Sequence, residues 1–573
     1  MKRRISIIAL SLLACLLTTV VAQSEDVVFR AMEDELNRSM DRLVIEDMQP
    51  PYFMSYRIKD YQTATIKARY GAVIKSEVED QRFFYIEMRV GDPVLDNTNF
   101  VGTWQDLGSY REGLVEEDNY NAIRHELWLE TDKAYKKAVE NLARKAAYIQ
   151  THPGTADIPD FTSAEASQQI EEPVEIMMNA KDWEGKVAKA AKIFDKYPAL
   201  QDWQVEFYTF GVNSRYLNSE KAKNLQRGVV YMLRVSATAL AADGQRLSTA
   251  RDFIAGADAN PLDNKSLPAD IQKMAEELTA VVSSEPLDEF AGPVLFSDLA
   301  AAQVISQLFA NQLALERKVL AVDEWMNRYL PMGKLVNRIN RRVFPEFITI
   351  TDEPLRESWR GEPLLRYQAV DDEGVPSRNI TLVKQGRLTD IPLTRRPTKK
   401  LSGSNGHAIT LQNQWTVPAI SNLIVKSDKA LSEKKLMSEF RKLISDFGND
   451  YGLVITQLDN PDVTRDYKWI DEETDEPPIL TQPVIMYKLY AADGRLEPVR
   501  GLVFDEVSIR NLRDIYATGR DEKLYNISQS SPFPGMSYPA SIVTPSLLVE
   551  ELEFKADQSK EPLPFSRNPM FEN

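Results

Sequence analysis

Residues 292–316 constrain the fold most, because they join two local patterns and separate two halves of the chain that differ in character. Residues 293–296 form a short apolar run, which predicts a strand. The apolar residues that follow recur at three- and four-residue steps, which predicts a helix with one buried face. They are Ala301, Val304, Ile305, Leu308 and Phe309. We therefore expect a strand that leads directly into a buried helix.

The half before this segment mixes helical and strand patterns. Helical periods cover residues 29–43, 127–149, 182–197 and 267–282. Runs rich in aromatic and β-branched residues cover residues 52–58, 64–78, 82–90, 204–217, 228–240 and 246–254, and the first three predict an antiparallel meander. Residues 151–172 are polar and interrupted by prolines, which predicts a long connecting loop.

The half after this segment consists of short strand patterns separated by glycine-containing turns, for example at Gly374, Gly386 and Gly406. A chain of 573 residues, 43% of them hydrophobic, can bury more than one core. We predict an α+β protein. Residues 23–290 form an N-terminal α/β domain with an antiparallel sheet and helices, residues 291–556 a β-rich C-terminal domain, and residues 557–573 an extended tail.

The first 22 residues have the pattern of a signal peptide. Lys2, Arg3 and Arg4 precede the apolar run 5–21, and Ala22 completes a small-residue cleavage site. We expect ordinary cleavage and export, to the periplasm or the outside of a bacterial cell. Two alternatives are an uncleaved anchor, because the run approaches the length of a membrane span, and a lipoprotein signal at Cys15.

Composition excludes several classes of function. Cys15 is the only cysteine and leaves with the signal peptide, so the exported chain has no disulfide and no thiolate. The net charge of −16, without a long cluster of lysine and arginine, argues against a nucleic-acid partner. No GxSxG, GxxxxGK[ST] or GxGxxG motif occurs, so serine hydrolase, P-loop and dinucleotide chemistry have no support.

Three short patterns each have a chemical and a structural interpretation. HELWLE at residues 125–130 is similar to a metal-binding helix but lacks the second histidine, so a solvated helix start is simpler. The acidic run at residues 371–373 could hold a cation, but a hairpin tip in which Gly374 supplies the positive φ is favoured. His407 follows Asn405 and Gly406 in a turn, and could contact a bound peptide or be structural.

A series of segments carries a family resemblance. YQAVDDEGVPSRNITLVKQGRLTDIPLTRRP at residues 367–397 is followed by SGSNGHA at 402–408 and PAISNLIV at 418–425, and the supporting pieces are ITITDEP at 348–354, RYLNSE at 215–220 and RYGAV at 69–73. In this order they resemble the TldD/PmbA family, proposed metallopeptidases once described as modulators of DNA gyrase. The resemblance spans nearly the whole exported chain.

The resemblance implies a two-domain fold assembled as a dimer of related chains. In that family one type of subunit holds zinc through an HExxxH motif and a later cysteine and cleaves unfolded or small peptides, while a sister type lacks the ligands. Aligned here, the motif falls on Ser306, Gln307 and Asn311, and no histidine lies between His152 and His407. The later cysteine belongs near residues 528–538, which contain none.

We therefore predict an exported, metal-free and non-catalytic subunit of a peptidase assembly that acts on unfolded or small peptides. Its partner would be a homologous subunit, in a homo- or heterodimer, and zinc is expected only in a ligand-bearing partner. Peptide contact is expected at Asn405, Gly406 and His407, and strand addition is one way to grip a peptide. Two alternatives are an active peptidase with an unconventional metal site and a non-enzymatic peptide-binding protein of the cell envelope.

Overall fold

A computed structural model describes residues 26–566 except 46–47, 104–105, 107–113, 156, 175–177, 258, 315, 324–331, 412–414, 463–478, 533–535 and 565. The predicted signal peptide, with Cys15, lies outside the described residues. The helices are α1 (Val27–Arg42), α2 (Tyr120–Thr151), α3 (Lys181–Ala191), α4 (Leu267–Val282), α5 (Asp298–Val304) and α6 (Glu433–Asp446). None of these helices is long and apolar enough to span a membrane.

The first half of the chain is built on one sheet. Its strands are β1 (Pro51–Arg69), β2 (Ala72–Val90), β3 (Phe100–Val101), β4 (Gln168–Ile170), β5 (Leu200–Asn218), β6 (Lys223–Leu240) and β7 (Arg246–Gly256). The sheet has the order β2-β1-β5-β6-β4, with β7 also paired to β6, and β3 lies apart. All but the short β4 pair antiparallel, as the strand patterns predict.

The two faces of this sheet have different neighbours. Even-numbered residues of β1, such as Tyr56 and Ile66, lie in the apolar clusters that α1 to α4 form with the sheet. Odd-numbered residues lie on the opposite face, because side chains alternate along a strand. Arg57 and Lys59 on that face contact Asp372 in the second half. The sheet therefore lies between the helices and the β-rich half.

The predicted three-stranded meander over residues 52–90 is wrong in its strand number. The region forms two strands of 19 residues, β1 and β2, which turn at Tyr70 and Gly71. Residues 59–63 and 79–81, which lie between the predicted runs, continue these strands, and Arg82 pairs with Asp60 directly across the ladder. Cross-strand ion pairs of this kind keep charged residues within a sheet, and a local pattern does not show them.

The second half of the chain is built mainly of β-strands, and two larger sheets contain most of them. They are β8 (Glu289–Phe296), β9 (Leu320–Ala321), β10 (Ile348–Asp352), β11 (Ser358–Trp359), β12 (Glu362–Pro363), β13 (Ile380–Lys384), β14 (Arg387–Leu388), β15 (Ala408–Thr410), β16 (Thr416–Pro418), β17 (Asn422–Ser427), β18 (Tyr451–Leu458), β19 (Pro483–Tyr490), β20 (Leu496–Val499), β21 (Leu502–Phe504), β22 (Ile515–Thr518), β23 (Lys523–Ser530), β24 (Ser537–Thr544) and β25 (Leu547–Ala556). One sheet has the order β14-β13-β10-β17-β24-β23, and the other β20-β19-β18-β8-β25-β21 with β22 on β25. Both contribute to the largest apolar cluster, to which β8 and α5 also belong.

Most of the predicted helices and loops have the expected positions. α4 coincides with the predicted helix 267–282, and α2 begins earlier than predicted, where the Asn119 side chain accepts hydrogen bonds from the backbone of Asn121 and Ala122. The predicted loop 151–172 is irregular except that its last residues form β4. The described residues of the tail beyond β25 form no helix or strand, and the backbone N–H of Glu561 donates to the carbonyl of Gly244 at 2.7 Å.

Candidate functional site

The chain after β8 changes its helical geometry within one segment. α5 passes into a π-helical turn at Ile305–Phe309 and then a 3-10 turn at Ala310–Leu313. The backbone N–H of Ala310 donates to the carbonyl of Ile305, five residues earlier. A π-turn brings residues five apart onto one face, and such turns are frequent at functional sites. The predicted buried helix is therefore present, but its second part is a π-turn.

Ser306 lies in this π-turn and Asn311 in the 3-10 turn that follows it, and both contact a third residue. The Ser306 hydroxyl donates to Oε1 of Gln529 at 2.8 Å, and Nε2 of Gln529 donates to Oδ1 of Asn311. Gln529 lies in β23 and is 1% exposed. It belongs to the stretch 528–538 in which the resemblance places the family cysteine. The tertiary structure thus places the two ligand positions of the aligned motif beside a residue of the stretch expected to hold the family cysteine.

Gln307 stands at the position of the family's general base, and its side chain is fully engaged. Nε2 donates to the hydroxyl of Thr481 at 3.0 Å, and Oε1 accepts from the backbone N–H of Thr481 at 2.8 Å. The residue is 6% exposed. An amide has no proton-accepting group of suitable pKa, so this position cannot take a proton from water. Gln307 instead fastens the segment before β19 to the π-turn.

The residues of this cluster do not fit a zinc ion. Zinc in proteins is held by thiolate, imidazole and carboxylate groups, and a catalytic site needs about three of them. Ser306, Asn311 and Gln529 offer only a neutral hydroxyl and neutral amides. Across the part of the chain that the structure describes, no group of three or more His, Cys, Asp and Glu is placed to hold a metal. The positions of the site are kept, but its donor atoms are not.

The structure places the HELWLE pattern in the first turns of α2, with Leu127 buried in the apolar core. His125 is exposed, and the Glu126 carboxylate accepts from the backbone N–H of Val115 at 3.0 Å. Glu130 pairs with Lys133 one turn later. These contacts agree with the interpretation as a solvated helix start.

His407 and its neighbours lie inside the C-terminal half. The His407 ring is completely buried, with Nδ1 3.0 Å from the carbonyl of Asn405 and Nε2 3.5 Å from Oδ2 of Asp352. Burial lowers the pKa of His407. Ser377 donates to the carbonyl of Gly406 at 2.8 Å. A peptide on the surface does not reach the His407 side chain in this arrangement, which favours the structural interpretation of the turn.

The acidic run at residues 371–373 forms the tip of a hairpin, with Gly374 at φ 75° as predicted. The tip is not at the surface, because it inserts against the N-terminal sheet. Nη1 of Arg57 lies 3.3 Å from Oδ1 of Asp372, and the Ser167 hydroxyl donates to the carbonyl of Gly374 at 2.5 Å. A cavity of about 570 Å³ lies beside it. Its lining includes Arg57, Arg89, Tyr216, Asp372, Glu373 and Arg396.

Two buried carboxyl groups flank Asp372 in this tip. Burial raises the pKa of Asp371 and of Glu373, and the negative charge of Asp371 raises the pKa of Glu373 further. The Glu373 backbone N–H donates to Oδ1 of Asp371 at 2.9 Å, and the Arg395 backbone N–H donates to Oε2 of Glu373 at 2.6 Å. The tip therefore holds two carboxyl groups that resist ionisation beside Asp372, the residue that pairs with Arg57 and Lys59 of the N-terminal sheet.

These raised pKa values predict a stability that falls as the pH rises. A carboxyl whose pKa is higher in the folded than in the unfolded chain stabilises the fold most below its unfolded pKa, and the contribution is lost as the pH rises through the folded pKa. We expect the free energy of unfolding to fall from mildly acidic pH towards neutral and alkaline pH. Glu373→Gln should flatten this fall and stabilise the chain above neutrality. Urea unfolding at several pH values measures both, and an unchanged slope in the variant would contradict the assignment.

Sequence reasoning missed Gln529 and the arginine and lysine partners of the acidic tip. The only signal for Gln529 was its place in the stretch expected to hold the family cysteine. No local signal connects Arg57 with Asp372, because the two residues are 315 positions apart in the chain.

Comparison with known proteins supports the class that the fold and site define, a two-domain α+β protein with the architecture of a metallopeptidase. Residues 291–556 match the family model of the PmbA/TldA metallopeptidase C-terminal domain. A comparison with curated protein sequences gave no match.

Three solved structures are similar over nearly the whole chain. They are a proposed modulator of a DNA gyrase from Thermotoga maritima MSB8 (TM-score 0.58, 15% identity), TldE from Thermococcus kodakarensis (0.57, 11%) and a proposed modulator of DNA gyrase from Bacteroides thetaiotaomicron VPI-5482 (0.53, 11%). The similarity covers 92%, 92% and 94% of this chain and 100% of each of the others. At this identity the likeness shows the fold. Together with the family-model match over residues 291–556, it confirms the predicted resemblance to the TldD/PmbA family.

Proposed function

We propose that this chain is the metal-free, non-catalytic subunit of an exported peptidase assembly that acts on unfolded or small peptides. The observation that carries the proposal is the bridge of Gln529 between Ser306 and Asn311. It joins the two positions aligned with the family's histidine ligands to a residue of the stretch where the family cysteine is expected. The arrangement of an active site is therefore retained with donors that hydrogen-bond to one another and leave no place for a Lewis acid.

There is a physical reason for hydroxyl and amide residues at the positions that align with the family's zinc ligands. Three ligand positions without a metal would leave buried polar atoms unsatisfied, and each such atom costs stability. Hydroxyl and amide groups satisfy one another here, and the two bonds between Gln307 and Thr481 do the same at the base position. The segment can then serve as a scaffold that shapes an assembly, while hydrolysis takes place on a ligand-bearing homologous subunit.

Metal analysis and a cleavage assay test this proposal. The purified chain, incubated with ZnCl₂ and then dialysed, should retain far less than one zinc per chain. It should not cleave an unfolded protein or a peptide mixture when it is alone. Stoichiometric zinc together with chelator-sensitive cleavage by the isolated chain would overturn the proposal in favour of an unconventional metal site. If the chain brings down a homologous subunit from the native envelope, the assembly is supported; if it brings down only peptides, the peptide-binding alternative gains.

Export is a separate part of the proposal and rests on the pattern of residues 1–22. Cell fractionation with N-terminal sequencing of the isolated protein checks it. We expect a chain that begins at Gln23 in the periplasm or the medium. Retention of residues 1–22 on a membrane-bound chain would favour the anchor instead.

A further inference from the structure

The C-terminal half carries a cluster of exposed basic side chains that no single run of the sequence shows. Residues 338–342, 384–387 and 399–400 contain only basic residues among their charged ones, and all of these are exposed. They are Arg338, Arg341, Arg342, Lys384, Arg387, Lys399 and Lys400. The whole chain has a formal net charge of −16, so the cluster is opposite in sign to the protein that carries it.

Hydrogen bonds between the three segments make the cluster one surface. The backbone N–H of Asn340 donates to the carbonyl of Leu388 at 2.7 Å, and the N–H of Leu388 donates to the carbonyl of Arg341 at 3.0 Å. Nζ of Lys400 donates to the carbonyl of Asn337 at 3.2 Å. The segment 337–342 therefore contacts both of the others, and we call the basic residues of the three segments the basic surface.

Most cations of the basic surface have no carboxylate partner. Among the described residues, Glu346 pairs with Arg342, and Asp157 pairs with Lys399 at 2.5 Å. Both ion pairs are exposed, so water and salt screen them and they contribute little. The other cations of the basic surface form no ion pair with a described residue. Their charge is therefore available to an anionic partner.

An apolar cavity of about 350 Å³ lies beside the basic surface. Its lining includes Leu320, Met332 and Val336, and also Lys399 and Lys400. Ligand cavities are typically apolar with a few polar groups that fix the orientation of the ligand. An apolar cavity next to cations matches a molecule in which an acyl chain is joined to an anionic headgroup.

The backbone beside the cations is already paired. β14 is the last strand of its sheet, and on its outer side Arg342 and Arg387 form an antiparallel bridge. The backbone N–H of Val343 also donates to the carbonyl of Gly386 at 2.8 Å. A peptide that binds by strand addition needs unpaired backbone groups at a sheet edge. The basic surface thus offers charge and an apolar cavity, which favours a lipid over a peptide.

We propose that the basic surface and its cavity bind an anionic phospholipid membrane and hold the chain on it in one orientation. Clusters of about four to eight lysines and arginines are attracted to anionic lipids. The remainder of the chain is strongly acidic and is repelled by such a membrane, so contact is confined to this side. The inference goes beyond the proposed function, because it does not depend on whether the chain is catalytic.

Co-sedimentation of the purified chain with vesicles tests the proposal. The chain should bind vesicles that contain phosphatidylglycerol and should not bind vesicles of phosphatidylcholine alone. Binding should weaken as NaCl is added, because salt screens exposed charges. Arg338→Glu combined with Arg341→Glu should weaken binding at least roughly twentyfold, since each basic residue near an anionic surface strengthens binding severalfold.

A matched pair of substitutions separates this surface from a general effect of charge. Lys136→Glu combined with Lys273→Glu makes the same change in net charge on exposed faces of α2 and α4. This control should bind phosphatidylglycerol vesicles nearly as well as the natural chain. Equal losses in both double variants would overturn the proposal, and so would a natural chain that does not bind these vesicles. Circular dichroism checks that each variant folds.

Soluble probes separate a lipid site from other anion sites. Dihexanoyl phosphatidylglycerol, dissolved below its micelle concentration, should bind at least roughly tenfold more tightly than glycerol phosphate, because its acyl chains can fill the apolar cavity. Equal binding of the two would overturn the lipid site in favour of a phosphate site. Polyglutamate or duplex DNA that binds the basic surface as tightly as the vesicles do would also overturn it, in favour of a soluble polyanion.

Discussion

A chain with Ser306→His, Gln307→Glu, Asn311→His and Gln529→Cys is expected to bind zinc that the natural chain does not hold. The π-turn places residues 306 and 311 on one face, and Gln529 already contacts both. Two imidazoles and a thiolate would supply the three protein ligands of a catalytic zinc site. We expect a dissociation constant of about 1 μM or below, which corresponds to roughly 8 kcal/mol of binding free energy.

Competition with a chromophoric chelator measures this affinity. Cobalt(II) in place of zinc would report tetrahedral coordination by a thiolate through its visible absorption. A peptide-cleavage assay then asks whether the carboxylate that Gln307→Glu introduces can act as the base, although binding is the outcome that the geometry predicts.

A geometric control separates designed coordination from adventitious binding. A second chain carries the same four types of change but has the histidine at Gln312 and keeps Asn311. Residue 312 is six positions from residue 306, and the amide of Gln312 turns back to the carbonyl of Gln307. This control should bind zinc at least tenfold more weakly. Equal affinity in both chains would mean that the π-turn does not set the site, and circular dichroism of each variant checks that it folds.

Lys145→Met is expected to destabilise the chain by about 3 kcal/mol, because it leaves a buried carboxylate without its main partner. Lys145 is 1% exposed on α2. Its ammonium donates to the carbonyls of Asp96 and Thr98 at 3.0 and 2.6 Å and pairs with Asp160. Burial lowers the pKa of Lys145 and raises that of Asp160, so both charges depend on each other. The pair holds the loop 151–172 against the helix.

Urea unfolding of a double-mutant cycle isolates this interaction. Lys145→Met, Asp160→Asn and the double variant together give the coupling energy, which should be favourable and exceed about 1 kcal/mol. Lys133→Met is the matched control, since Lys133 lies on the same helix but is 62% exposed in its ion pair. Exposed pairs contribute little, so this variant should change stability by less than about 0.5 kcal/mol. Similar losses for both lysines would show that burial is not the cause.

Local patterns were sufficient for the helices of the first half of the chain and for most of its strands, whereas α6 was not predicted. The helical period of residues 267–282 coincides with α4, because the spacing of apolar residues along one face is a property of the segment itself. The same reasoning divided β1 and β2 into three strands. Residues 59–63 and 79–81 fell outside the predicted runs, yet they lie within the two strands, where Asp60 pairs with Arg82 across the ladder.

The acidic tip at residues 371–373 is a second example, because its local sequence predicts the turn but not the burial of its side chains. A glycine turn between strands predicts the tip itself, and Gly374 has the expected backbone conformation. Nothing in residues 371–373 shows that they are buried against another sheet. Three successive acidic residues are normally solvated. Here Arg57 and Lys59 from the other half of the chain pair with Asp372, and backbone N–H groups of distant residues donate to Asp371 and Glu373.

The sequence by itself determined which donor atoms the family window can offer, since no folding can place an imidazole where the chain has none. Ser306, Gln307 and Asn311 followed from alignment with the family. Only the tertiary structure decided how these positions are used. It forms the π-turn that aligns residues 306 and 311, and it brings Gln529 to them across 218 positions of the chain. Hydrogen bonds between distant segments depend on packing of the whole core, which local sequence does not encode.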